Sequence, residues 1–251
     1  MFTPKDLNTI SSTDINILKM HKTIITKGIG SDRAVFILVP SGSDYKDKVL
    51  AYLARTIGKK VTANSIKKDL HLSYGYLHST TSNLCKSKII NIEEVGNYNL
   101  ISLNLKNMLA IAEVSRISVR ISQEVTNKDK RLRKINELVE DLRKYKGILS
   151  IVLFGSHAKL MAHEHSDIDL LVIIGPKYQK SRTLINDIKV EIMSFGTKEF
   201  LDIQSFIVDY AIFKRMLESG EEINVGKEAF KDGIILDGFE NYWKMVGEII
   251  G

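Results

Sequence analysis

Cysteine is almost absent. The 251 residues hold one, Cys85, which excludes an intrachain disulfide framework. It lies in the apolar rhythm SNLCKSKII, where a half-buried thiol accounts for it better than a nucleophile does. Proline is scarce, at three residues, and there is neither an internal repeat nor a low-complexity tract. No apolar run approaches the ~20 residues that a membrane helix needs. The opening MFTPKDLNTISSTDIN lacks the basic-then-apolar pattern of a signal peptide. These absences lead us to expect a cytoplasmic protein without a membrane partner.

The charge is unevenly spread. The formal net charge is +6, and residues 1–105 carry all of the excess, with 14 basic against 8 acidic side chains. Residues 106–251 balance at 22 of each. Such asymmetry suits a polyanion partner for the first part of the chain, although solubility alone would also account for it. The length leaves room for one large domain or two ordinary ones.

Residues 1–45 read poorly. STDINILKMHKTIITKG has the look of a helix from Ser12 or Thr13, and RAVFILVPS that of a short strand ended by Pro40. Residues 46–105 are clearer. Val49, Leu50, Leu53 and Ile57 recur at helical spacing before Gly58. A second helix starts at the capping residue Thr62 and buries Ile66 and Leu70; a third starts at Ser73, with Leu77, Leu84 and Ile89 on its apolar side. Two strand-like runs then flank Gly96-Asn97, a hairpin signal. Three short helices and a hairpin resemble a winged helix-turn-helix domain. The resemblance implies DNA or RNA contact through the early third helix, at Ser73, Tyr74, Tyr76, His78, Ser79 and Thr80, with Lys67 and Lys68 on phosphate. Protein binding is the alternative, because that segment lacks the Arg that usually reads guanine, and Glu93 and Glu94 on the hairpin would repel phosphate.

A linking helix is expected over 106–127. An amphipathic helix follows, with Leu132, Ile135, Leu138, Val139 and Leu142 apolar, and Gly147 ends it. ILSIVLF is a continuous apolar run of the kind that fills a central strand. Gly155-Ser156 closes it and opens a short helix, SHAKLMAH. A tight turn with free backbone N–H groups and a hydroxyl suits a phosphate. Ten residues later Asp167-Ile168-Asp169 opens a second apolar run. Residues i and i+2 of a strand share a face, so the two carboxylates lie side by side, an arrangement suited to Mg²⁺. KVEIMSF reads as a third strand with Glu191 at its centre, and beside the Asp-Ile-Asp strand it would make three acids converge.

This succession resembles the DNA-polymerase-beta-type nucleotidyltransferase superfamily, especially its small minimal branch, over about residues 130–195. The resemblance implies two Mg²⁺ ions, or Mn²⁺, on Asp167, Asp169 and Glu191. Gly155, Ser156, His157 and Lys159 would bind the nucleotide. An NMP would pass from an NTP to a hydroxyl, with release of pyrophosphate. Three positions depart from the pattern. His157 stands where a basic residue usually follows Gly-Ser, Leu160 where glycine is common, and Glu191 where aspartate is commoner.

HEHSDID alternates His163, His165, Asp167 and Asp169, so an extended chain would also offer a four-ligand Zn²⁺ or Mn²⁺ site; a surface loop is the plainer reading. TKEFLDIQSFIVDYAIFKRMLESG reads as a long helix, followed by the strand GIIL and a closing helix. The expected fold is α+β: an N-terminal segment (1–45), a winged helix-turn-helix domain (46–105), a linking helix (106–127) and a nucleotidyltransferase domain with a small mixed sheet and C-terminal helices (128–251). The rival function is a DNA-binding regulator or antitoxin-like protein with a weak or inactive transferase domain. A protein acceptor, a toxin partner and oligomer formation remain open.

Overall fold

The structure, a computed structural model, describes residues 24–27, 34–179, 181–220 and 223–250. The chain divides into two units, Met1–Ile117 and Ser118–Gly251.

In the first unit, strands β1 (Ile24–Lys27) and β2 (Ala34–Ile37) pair antiparallel. The helix expected from Ser12 lies outside the described residues up to 23, and its proposed end is strand instead. Helix α1 (Tyr45–Arg55) starts where the Asp44 side chain accepts from the Asp47 N–H. The two-residue strand β3 (Val61–Thr62) leads into α2 (Ala63–Asp69), capped by Thr62, and α3 (Tyr74–Lys86) is capped by Ser73. Strands β4 (Ile90–Val95) and β5 (Tyr98–Leu103) form a hairpin about Gly96, and β3 pairs with β5 on its other side. Val49, Leu50, Leu53, Ile66, Leu77, Leu84 and Ile101 fill the core between these elements. Asp47, buried in α1, is paired with Arg116, whose guanidinium it holds more firmly charged than usual. Arg116 belongs to α4 (Met108–Lys128), the helix within which the division of the chain falls.

The second unit continues with α5 (Lys130–Leu142), whose buried residues Leu132, Ile135, Leu138, Val139 and Leu142 are those its periodicity selects. Strand β6 (Ile148–Phe154), the single turn α6 (Gly155–Ala158) and strand β7 (Ile168–Ile174) follow. Then α7 (Arg182–Glu199), β8 (Ile203–Asp209), α8 (Tyr210–Glu218), α9 (Val225–Asp232), β9 (Ile234–Asp237) and α10 (Phe239–Ile250) complete the chain. The sheet is mixed, in the order β8-β7-β6-β9: β7 runs parallel to β8, and β6 is antiparallel to both of its neighbours. From Leu170 to Ile174 every β7 side chain is buried, which an alternating strand achieves only when both sheet faces are covered.

The segment after β7 differs from the sequence expectation. KVEIMSF is helical and lies within α7, while the expected long helix is a turn, a strand and a shorter helix. Val190 and Ile192 mimic period two over a short window. Over the longer one, Ile188, Ile192 and Phe195 recur at helical spacing and are the buried ones, while Val190 is exposed. The helix stops at Phe200, which takes a left-handed φ of 54°. There the Leu201 N–H reaches back to the Gly196 carbonyl at 2.9 Å, closing the last turn.

Gly238, between β9 and α10, has φ +68°, and a Cβ there would lie 1.9 Å from the Leu149 carbonyl oxygen. Backbone cannot give way as a flexible side chain can. Gly238→Ala should therefore destabilise the protein by about 3 kcal/mol, read as a lower urea midpoint with an unchanged slope.

Candidate nucleotide and metal site

The pairing of β6 with β7 sets Phe154 opposite Asp169. The chain turns immediately, and Gly155 takes φ +69° with its α-carbon packed on the Asp169 side chain. A Cβ on Gly155 would lie 2.0 Å from Asp169 Oδ2, so both the backbone angle and the space demand glycine. The Gly-Ser turn and the Asp-Ile-Asp strand are thus one structure: the carboxylate of one fills the place of a side chain on the other.

Asp167 and Asp169 flank the buried Ile168 and lie on the other face from it. Asp169 is pushed above the ordinary aspartate value, first by burial, then by the charges of Asp167 and Glu228; Lys159 opposes the shift. Two adjacent carboxylates, one of them reluctantly ionised, suit a hard divalent cation, whose charge would relieve both.

Glu191 is the clearest correction. It lies on α7 and not on a strand beside β7; the strand that pairs with β7 there is β8. Its Oε2 accepts from Lys144 Nζ at 2.6 Å and from the Tyr145 hydroxyl at 3.2 Å, and the Lys144 hydrogen bond holds it below the usual carboxylate range. Lys144 and Tyr145 precede β6, whereas Asp169 pairs with its last residue. A seven-residue strand separates the two ends by ~20 Å, so Glu191 cannot join the aspartates. The position alongside Asp169 on β8 is taken by Gln204, and its Nε2 donates to Asp167 Oδ2.

His157 does not face solvent. Its side chain is 1% exposed; its Nε2 lies 3.4 Å from the Ser166 carbonyl and its Nδ1 3.7 Å from Asp129. Burial lowers its pKa, so it is neutral at pH 7 and supplies no positive charge to a phosphate. It braces the loop that carries Asp167. Arg131 does the same from α5, donating to the carbonyls of His163 at 3.0 Å and Glu164 at 2.7 Å. Neither Arg131 nor Asp129 stands out in the sequence; nothing local to them signals contacts some thirty residues away.

The four-ligand alternative fails on geometry. The Ser166 N–H bonds the His163 carbonyl at 3.0 Å, a turn that breaks the extended alternation, and both histidines are exposed. Among the described residues, no group of three or more His, Cys, Asp or Glu could hold a metal ion. Lys159 follows α6 directly, and its Nζ lies 2.5 Å from Glu228 Oε1.

Residues 136–228 match the family model described as Polymerase beta, Nucleotidyltransferase. The match supports nucleotidyl transfer in general and spans both aspartates, the Gly-Ser turn, Gln204 and Glu228. No curated protein and no solved structure matches the chain. Among the described residues, no helix is long and apolar enough to cross a membrane.

In the first unit, Lys67, Lys68, Ser73, Tyr74, Tyr76, His78 and Ser79 are exposed, and Thr80 is half-buried. Tyr76 stacks on Tyr45 at 4.4 Å and Tyr74 on His78 at 6.0 Å.

A carboxyl with a raised folded-state pKa holds its proton more tightly in the folded chain than in the unfolded one. Between the ordinary aspartate value and the raised one, stability therefore falls as pH rises. In EDTA, Asp169→Asn should melt a few degrees above the parent at pH 7. The difference should close as the pH drops below the ordinary aspartate value, as followed by thermal denaturation across that range.

Proposed function

We propose that the protein is a divalent-metal-dependent nucleotidyltransferase that moves an NMP from an NTP to a hydroxyl. The observation that carries this reading is the contact of Gly155 with Asp169, which sets the Gly-Ser turn against one of two neighbouring carboxylates. Asp167 and Asp169 would hold the metal. Mg²⁺ (two ions, with Mn²⁺ as a substitute) would supply charge neutralisation of the triphosphate and a lowered pKa for the acceptor hydroxyl. The Gly155-Ser156 turn offers backbone N–H groups and a hydroxyl to the β- and γ-phosphates, and Lys159 a cation. The acceptor oxygen bonds to the α-phosphorus as the bond to the bridging oxygen breaks; pyrophosphate leaves and the hydroxyl proton passes to solvent. The acceptor is a protein, a nucleic acid or a small molecule.

The first unit is read as a winged helix, with α3 as its recognition helix and Lys67 and Lys68 on phosphate. It would carry the transferase to DNA or RNA, or bind the acceptor.

Incubation with each labelled NTP, Mg²⁺ and cell lysate should transfer label. Asp167→Ala and Asp169→Ala should each reduce transfer more than about 100-fold, beyond the loss typical of residues that only support a metal ligand. No transfer from any NTP, together with nanomolar binding to a single DNA site, would favour the regulator instead. For the winged helix, Lys67→Ala with Lys68→Ala should weaken nucleic-acid binding evenly across sequences. It should also flatten the slope of log affinity against log salt by about 2, measured by fluorescence anisotropy.

A further inference from the structure

We propose that Glu228 holds Lys159 back from the phosphate turn, and that an incoming triphosphate must displace it. The inference rests on the nucleotidyltransferase reading and adds to it the residue that sets nucleotide affinity.

Lys159 is the first residue after α6, and its ammonium is the cation nearest in sequence to the Gly155-Ser156 turn. It is engaged by Glu228 Oε1 at 2.5 Å. Glu228 sits in the first turn of α9, a helix that packs against α6 and β7. The backbone there is pinned. The Asn224 side chain caps the helix by accepting from the Lys227 N–H at 3.0 Å, and its Nδ2 donates to the Met216 carbonyl and Ser219 Oγ, each at 2.9 Å. Gly226 packs so closely on Met216 that a Cβ would come within 2.7 Å of the Met216 Cβ. The helix start therefore stays put, and what can swing is the Glu228 side chain.

Both partners keep about a third of their side-chain surface exposed, at 30% and 34%. An ion pair this wet is weak, and a triphosphate with several charges outcompetes one carboxylate for the same ammonium. The contact also has a cost for the nucleotide. With Lys159 engaged by Glu228 the pair carries no net charge, so the incoming anion meets Asp167 and Asp169 without a free ammonium beside them, and Glu228 lies near enough to Asp169 for its charge to be felt there. Glu228 thus lowers affinity for a bare triphosphate and favours one that arrives with its cation.

Inorganic tripolyphosphate tests this without a choice of base. Its binding is measured by titration calorimetry in EDTA, on the full chain, with circular dichroism to confirm that each variant is folded. Glu228→Gln should bind about threefold to fivefold tighter than the parent, the range a partly exposed ion pair supports. Lys159→Ala should bind more weakly, and the double variant should bind no tighter than Lys159→Ala alone. With Mg²⁺ present, the gain in Glu228→Gln should shrink. Equal or weaker binding by Glu228→Gln overturns the proposal, as does a gain that survives in the double variant, because Glu228 would then act without Lys159. If the parent transfers label from an NTP and Glu228→Gln binds like the parent, this inference alone fails. If neither the parent nor any variant binds tripolyphosphate and no NTP is consumed, the transferase reading fails with it.

Discussion

The contact on which the rest of the site depends is the one between the Gly155 α-carbon and the Asp169 carboxylate. It exists because β6 and β7 pair antiparallel with Phe154 opposite Asp169, so the first residue beyond β6 necessarily lies over the first acid inside β7. A side chain at 155 would occupy the space of the carboxylate. The strand pair is buried on both faces, so a one-residue slip would carry the Asp169 carboxylate into the apolar interior. The hydrophobic pattern of LSIVLF and DLLVII therefore fixes the register, and the register builds the site.

A second layer of contacts keeps the loop between the two motifs in place. Residues 159–167 form no strand or helix, and without bracing Asp167 would be free to wander. Arg131 holds two carbonyls of that loop, and the neutral His157 sits beneath it. The residue that directly follows Gly-Ser is thus used for support, and the positive charge beside the turn falls to Lys159. That charge is in turn held by Glu228, so the electrostatics of the turn are decided by α9, which lies some seventy residues further along the chain.

Much of this was legible from short-range pattern. The amphipathic helix α5, the strands β6, β7 and β9, and the capping residues Thr62 and Ser73 follow from spacing alone, because helix period and cap chemistry are local properties of the chain. The error at KVEIMSF arose because Val190 and Ile192 flank Glu191 with the alternation of a strand. Only the burial of Ile188, Ile192 and Phe195 at helical spacing separates helix from strand there. Misplacing that strand carried Glu191 into the site. In the folded protein it pairs with Lys144 at the other end of β6, and Gln204 takes the place beside Asp169.

By itself the sequence determined the parts whose geometry is covalent or nearly so. These are the sharp turn at Gly155-Ser156, the shared face of Asp167 and Asp169, and the apolar runs that bury the strands carrying them. Tertiary structure alone decided which groups meet those parts. That His157 is buried and neutral, that Gln204 bonds Asp167, and that Glu228 closes on Lys159 depend on how helices pack over a sheet. The reason is one of range. Alternation along a strand is set within three residues, whereas a partner seventy residues away is chosen by whichever packing buries the most apolar surface, and no local spacing records that choice.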